Sequence, residues 1–177
     1  SADIPDPSQC TVVPADNLGP SPGGMVVAPL NPSVLAATVN TITVKNSLGN
    51  VIVGANVVVL LGAANPACTA AVLTGTTNGS GITTITLGAG GCSHQVPGSG
   101  VIKANGVTIR SYSNVKGPDF DGAGGNKSVN LSDLVEFANQ FNGISLPQCH
   151  NYDNDSDVDV GDLVIFGAGF SGANTCP

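Results

Sequence analysis

Residues 151–162 of this chain read NYDNDSDVDVGD, with an oxygen-bearing side chain at every second position: Asn151, Asp153, Asp155, Asp157 and Asp159, then Asp162. Carboxylates set this close repel one another unless something positive sits among them. Oxygen ligands at positions 1, 3 and 5 of a twelve-residue loop, a backbone carbonyl at 7 and a carboxylate at 12 can wrap one hard cation such as calcium. Asn151, Asp153, Asp155, Asp157 (through its carbonyl) and Asp162 fill those positions without a gap. Val158, at position 8, is placed to make a short strand contact with a paired loop. Without a cation, the repulsion that attracts the ion works against the folded loop.

A loop of this kind needs a helix behind its last ligand and a second loop beside it, and the chain supplies both. The segments NLSDLVEFANQFNG (130–143) and DVGDLVIFGAGFSG (159–172) align without gaps at an offset of 29, matching Asp133 with Asp162, Phe137 with Phe166 and Phe141 with Phe170. Leu, Phe and Phe at i, i+3 and i+7 form one face of a helix. Two helices are therefore predicted, each preceded by an acidic loop. The first loop fits with an insertion between positions 3 and 5. Asp133 is its position 12, Val129 its position 8, Ser128 the carbonyl ligand and Asn126 position 5, while Asp119 and Asp121 supply positions 1 and 3. Asn130 and Asp159, at position 9, could act through water.

Charge is scarce elsewhere and sorted along the chain. Asp, Glu, Lys and Arg make up only 10% of 177 residues, against roughly 25% in an ordinary soluble domain. Residues 1–16 carry Asp3, Asp6 and Asp16; residues 17–118 have no acid but hold Lys45, Lys103, Arg110 and Lys116; residues 119–177 hold nine acids against Lys127. So sharp an asymmetry marks parts with different jobs, and without a basic cluster nucleic acid is excluded as a partner.

The cysteines at 10, 68, 92, 149 and 176 form no CxxC pair, which argues against a structural zinc site. The simplest pairing joins Cys68 to Cys92 and Cys149 to Cys176, although spacing alone leaves connectivity open. Two disulfides imply an oxidising, extracellular setting, secreted or at a cell surface. Cys10 is left over, for pairing between chains or as a free thiol. No leader segment is visible, so a secreted chain would be a mature form beginning at Ser1. The uncharged segment 51–73 is interrupted by Asn56, Asn65 and Pro66. Its apolar runs fall short of the ~20 residues a spanning helix needs, so it reads as buried strands, with no membrane insertion.

Residues 1–24, rich in Pro, Asp, Ser and Gly, read as an extended arm with neither helical nor strand periodicity. Runs dense in β-branched residues follow: TVNTITVK, VIVGANVVVLL, ITTITL, VIKA and VTIR, the last two flanking Asn105-Gly106, a strong hairpin signal. Residues 25–118 are therefore expected to form a β-sandwich. The order ITVKNSLGNVIVGANVVV, TGTTNGSGITTITL, GVIKANGVTIRS resembles the bacterial immunoglobulin-like domains of adhesins and other surface proteins of the invasin type. Residues 46–57 and 76–87 fit that pattern, with Asn46 in place of the usual acid. The insertion around Cys68 and the loop GAGGCSHQVPGSG depart from it.

Both acidic repeats end in Asp where a full EF-hand has Glu, and both continue D-L-x-x-F. Residues 119–172 thus resemble a type I dockerin or the dockerin-like repeats that close many bacterial secreted proteins. The resemblance implies one calcium ion for each loop–helix unit, two in all, within a module spanning 119–177, and helices packed antiparallel. It also implies a cohesin as partner, reached through paired Ser/Thr positions early in the helices. Leu134-Val135 and Leu163-Val164 stand there instead.

The fold expected is mainly β: an immunoglobulin-like sandwich followed by a small helical, dockerin-like calcium module. No nucleophile–base frame accompanies His94 or His150, and 4% aromatic residues give no stacking platform for sugars, so a non-enzymatic chain is expected. Of the sequons at Asn78, Asn126, Asn130 and Asn154, only Asn78 lies outside the acidic loops. The foremost expectation is an extracellular structural protein that forms a homo-oligomer or polymer, a filament or surface layer, with calcium as a staple. The alternative is a module docking onto a cohesin-like or other surface receptor, with the sandwich as spacer or adhesin.

Overall fold

The computed structural model describes residues 4–17, 23–146 and 148–177. Among the described residues there are nine strands: β1 Thr11–Val13, β2 Gly24–Val26, β3 Val39–Thr43, β4 Asn56–Leu61, β5 Thr74–Thr76, β6 Ile82–Thr86, β7 Gly100–Ala104, β8 Val107–Tyr112 and β9 Asn114–Lys116. Helices α1 (Leu131–Phe141) and α2 (Val160–Ser171) follow. The molecule is mostly β with a small helical part, compatible with a sandwich. Strands β1-β3-β6 form one antiparallel sheet, β5-β4-β7-β8 another, and β2 pairs in parallel with β9.

Alternation makes the core. Ile42 of β3, Val57 and Val59 of β4, Ile85 of β6, and Ile102 and Ala104 of β7 point inward into one buried cluster shared by the two larger sheets, while their neighbours face out with the period of two that a pleated strand imposes. Asn105 and Gly106, both at positive φ, turn β7 into β8 as the dipeptide predicts. The uncharged segment 51–73 forms β4 and flanking loops, and among the described residues no helix is long and apolar enough to cross a membrane.

The arm departs from expectation. Residues 1–3 and 18–22 of it lie outside the described residues, but 4–17 are packed on the sandwich, with β1 added to the edge of β3. Cys10, Val12 and Ala15 are buried in the main core. Asp16 accepts from Arg110 Nε (2.8 Å) and Nη2 (3.0 Å), from Tyr112 Oη (3.1 Å) and from Val12 N (2.8 Å). A three-residue strand with one inward residue is too short to show periodicity in the sequence. Cys10 falls on the inward register, 1% exposed, its Sγ 3.4 Å from Lys45 N. There Cys10 is a buried free thiol, one of the two states left open for it.

The expected disulfide pairing is also corrected: the bonds are Cys68–Cys176 and Cys92–Cys149. Each joins a loop of the sandwich to the helical part. At that end of the sandwich β4 finishes at Leu61 opposite Gly100 of β7, and Cys68 and Cys92, in the loops beyond, bond to the helical part and not to each other. Val26 of β2 enters the helical core with Val129, Phe137, Tyr152, Val158 and Phe166. Asn31 and Thr175 exchange backbone hydrogen bonds, and Asn174 Nδ2 donates to the carbonyls of Pro29 and Ser33. The helical part is bolted to the sandwich.

Candidate metal centre

Each helix is started by its loop. Asn130 Oδ1 accepts from Ser132 N while Asp133 Oδ2 accepts from Asn130 N (2.7 Å); Asp159 Oδ1 accepts from Gly161 N while Asp162 Oδ2 accepts from Asp159 N (3.0 Å). These reciprocal caps satisfy helix N–H groups that would otherwise lack partners. They also hold the position-12 carboxylates, Asp133 and Asp162, inside the protein at 0% and 2% exposure. Behind them the Phe137 and Phe166 rings stack at 4.6 Å. The ring of His150, buried against both, lies 2.9 Å from Tyr152 Oη through Nδ1 and 3.1 Å from the Phe120 carbonyl through Nε2. Desolvation pulls its pKa down to about 4, so the ring is neutral. The carbonyl can only accept, which puts the proton on Nε2 and leaves Nδ1 to accept from the tyrosine hydroxyl.

In the first loop, fully buried Asp119 accepts from Asn126 N (2.9 Å) and Lys127 N (2.7 Å), and its own carbonyl accepts from Gly91 N of the sandwich (3.0 Å). Desolvation raises its pKa against those hydrogen bonds. Asp121, exposed, accepts from Ala123 N and Gly124 N. Asn126 is exposed, and the Ser128 carbonyl accepts from Asn130 Nδ2 (3.0 Å). Burial lifts Asp133 to about 6, with the charges of Asp119 and Asp121 adding to the rise. Its Oδ1 is buried without a hydrogen-bond partner.

In the second loop, Asn151 is buried at position 1 and its Oδ1 likewise has no partner. Asp153 Oδ1 accepts from Asp155 N (3.1 Å), and Asp155 Oδ1 from Asp157 N (3.0 Å). Exposed Asp157 has its pKa raised, first by the charge of Asp155. Asp162 Oδ1 accepts from Tyr152 N (2.6 Å), and desolvation raises this carboxyl to about 6, with Asp153 and Asp159 contributing.

The ten expected ligands thus lie in two loops, each folded around a buried carboxylate. Among the described residues, however, no three His, Cys, Asp or Glu side chains are gathered to hold a metal ion. Asp119, Asp121, Asp153 and Asp155 turn toward N–H groups of their own loops. The fit rests on the unpartnered oxygens, one in each loop, Asp133 Oδ1 and Asn151 Oδ1. A buried acceptor left unmatched is costly, and both stand at positions where the spacing places a ligand. The position-8 residues Val129 and Val158 share the buried cluster, yet Val129 N donates to the Asn174 carbonyl (2.7 Å), because the Cys68–Cys176 bond draws the C-terminal residues alongside the first loop.

Two contributors escaped the sequence reading. Lys116, 2% exposed, donates from Nζ to the Asn151 carbonyl (2.5 Å), and desolvation lowers its pKa to about 8 although Asp162, Asp153 and Asp155 oppose the fall. A lone lysine in an otherwise uncharged strand was the available signal. Gly90 is the other: a Cβ there would overlap Asp119 Oδ2, so the sandwich loop must be bare backbone for the carboxylate to sit against it. Comparison of the chain with family models, with curated proteins and with solved structures gave no match.

Proposed function

We propose that this chain is an extracellular structural protein that holds two calcium ions in the loops 119–133 and 151–162 and assembles with copies of itself into a filament or surface layer. The observation that carries the calcium reading is the pair of buried, unpartnered oxygens on Asp133 and Asn151. Asp119, Asp121, Asn126, Ser128 and Asp133 would hold one ion, and Asn151, Asp153, Asp155, the Asp157 carbonyl and Asp162 the other. Calcium, when bound, supplies the positive charge these oxygens lack. Asp119 ties the first loop to the sandwich through Gly91, and Lys116 ties the second through Asn151. Filling the loops therefore tightens the junction between the two parts.

Two disulfides suit an oxidising exterior. Self-assembly is supported by the charge sorting: a sandwich sequence without acids and an acidic end left at about −4 once two ions have bound. Unlike ends joined head to tail propagate as a filament. A second reading, docking on a cohesin-type receptor, is favoured by one observation: exposed apolar residues recur at the repeat offset, Leu131 with Val160 and Val135 with Val164. Sedimentation and negative-stain microscopy in calcium and then in excess chelator separate the two. Polymers that loosen on chelation support the first reading; a chain monomeric in both conditions overturns self-assembly.

A further inference from the structure

The strand registers give the sandwich two different ends. The turns 44–55, 77–81 and 105–106 lie together at one end, since Thr43 pairs with Ile82, Asn56 with Thr76 and Ala104 with Val107. The opposite end, beyond Leu61 and Gly100, carries the two disulfides and the helical part. At the free end the chain bends at Asn46, whose Oδ1 accepts from Leu48 N and Asn50 N, and this pushes Leu48 to 81% exposure, the most exposed large apolar residue described. Val51 and Val53 are exposed beside it, and Lys45 pairs with Val51 at the base of the turn. Asp6 is the acid near this base, with its carboxylate held by Ser8.

At the far end α2 carries one charged side chain, Asp162, and that one is buried. A helix apolar all round belongs in a core or against a partner, yet Val160, Leu163 and Val164 face solvent. Beside Val164 is an apolar recess of ≈ 120 Å³ lined by Leu35, Ala36, Ala37, Val164, Ile165 and Ala168, room for one aliphatic side chain. The exposed acids Asp153, Asp155, Asp157 and Asp159 lead into this helix.

We propose that Leu48 of one copy seats in the recess beside Val164 of the next, with Lys45 facing the acids that lead into α2. Knob and hole sit on opposite ends of the same chain, so the contact is heterologous and repeats without closing, while unlike charges set its orientation. This inference rests on the self-assembly reading and names its interface. The test uses full-length chains in calcium, checked by circular dichroism for an unchanged fold: the parent, Leu48→Asp and Val164→Asp. Each exposed-site variant is expected to raise the concentration needed for assembly by about 30-fold or more. Mixed together, the two are expected to form 1:1 dimers and go no further, because one keeps its recess and the other its Leu48. If the parent polymerises and either variant does so equally well, or if the mixed variants stay monomeric, this interface is wrong while self-assembly stands. A parent monomeric at every concentration overturns both and leaves the α2 face to a partner of another kind.

Discussion

The sandwich and the helical part solve the problem of staying folded in different ways. Among the described residues the sandwich cluster has nineteen buried members, nearly all apolar, whereas the helical cluster has six. The helical part instead buries Asp119, Asp133 and Asp162 and carries both disulfide connections. A unit with so small a core needs staples. The sandwich is stabilised by removing apolar surface from water, which calls for no bound ion. The helical part is held by covalent bonds, and on the proposed function a bound cation would satisfy its buried oxygens.

The largest expected effect is to take away the covalent staples. The bond Cys92–Cys149 spans 57 residues and Cys68–Cys176 spans 108, and loops of that length correspond to about 4 and about 5 kcal/mol in the chain-entropy account. Reduction, or Cys92→Ser with Cys149→Ser, is expected to split urea unfolding into two transitions, with helical circular dichroism lost before the β signal. A single transition under reducing conditions, at the same midpoint as the oxidised chain, would remove the distinction between the parts.

A smaller effect separates the two loops. Asp133 has one partnered and one unpartnered oxygen, so Asp133→Asn keeps its bond and removes a buried charge. In chelator this variant is expected to gain up to about 3 kcal/mol at pH 7, the energy matching the rise of that carboxyl from 3.8 to about 6. Asp162 accepts through both oxygens, so Asp162→Asn forfeits one acceptor at about 1–3 kcal/mol, which offsets the gain. In calcium each variant is expected to bind one ion by calorimetry where the parent binds two, losing about 2.7 kcal/mol of stabilisation when the ion is at a hundred times its dissociation constant.

The same carboxyls fix the pH dependence. Without calcium their folded pKa lies above the unfolded value, so the folded chain binds more protons near pH 5, and stability falls as pH rises from about 4 through about 6. If calcium binds as proposed, the sign is expected to reverse, because the ion would need both carboxylates ionised and its stabilisation would fade below about pH 6. Two stability curves that run parallel with and without calcium would dismiss these carboxylates as ligands.

Much of this division is legible in the sequence. Strand alternation, the Asn105-Gly106 turn and the two helices follow from local patterns, and the 29-residue offset places Asp133 and Asp162 in equivalent, capped and buried positions. What depends on distant packing is not legible. The disulfide partners are set by how two units dock, and sequence spacing carries no record of that. Lys116 reads as one more charge of a basic sandwich until β9 delivers it to the Asn151 carbonyl. Residues 4–17 look like part of an arm because β1 buries only Val12 from a three-residue strand, and the clasp that holds them reaches Arg110 and Tyr112, more than ninety residues away.

That clasp gives the smallest expected effect, and one confined to the sandwich. Asp16 gathers Arg110, Tyr112 and Val12 N onto a single carboxylate, and the Tyr112 hydroxyl, its pKa raised by burial and by that neighbouring charge, stays a donor. The ion pair is about a quarter exposed, so solvent screens much of it and its worth lies mainly in the hydrogen bonds. Asp16→Ala is expected to cost about 1–2 kcal/mol and to loosen β1 from β3 ahead of the rest. Cys10 reports the opening, since its thiol is buried beneath that strand. Its labelling by a thiol reagent is expected to accelerate about tenfold or more, following the opening free energy, while calcium stoichiometry stays at the parent's value. Labelling at the parent rate would mean that apolar burial of Val12 and Ala15 holds the strand without the clasp. A change in calcium binding would mean that the sandwich edge and the acidic loops are coupled, and the two regions could no longer be treated as separately controlled.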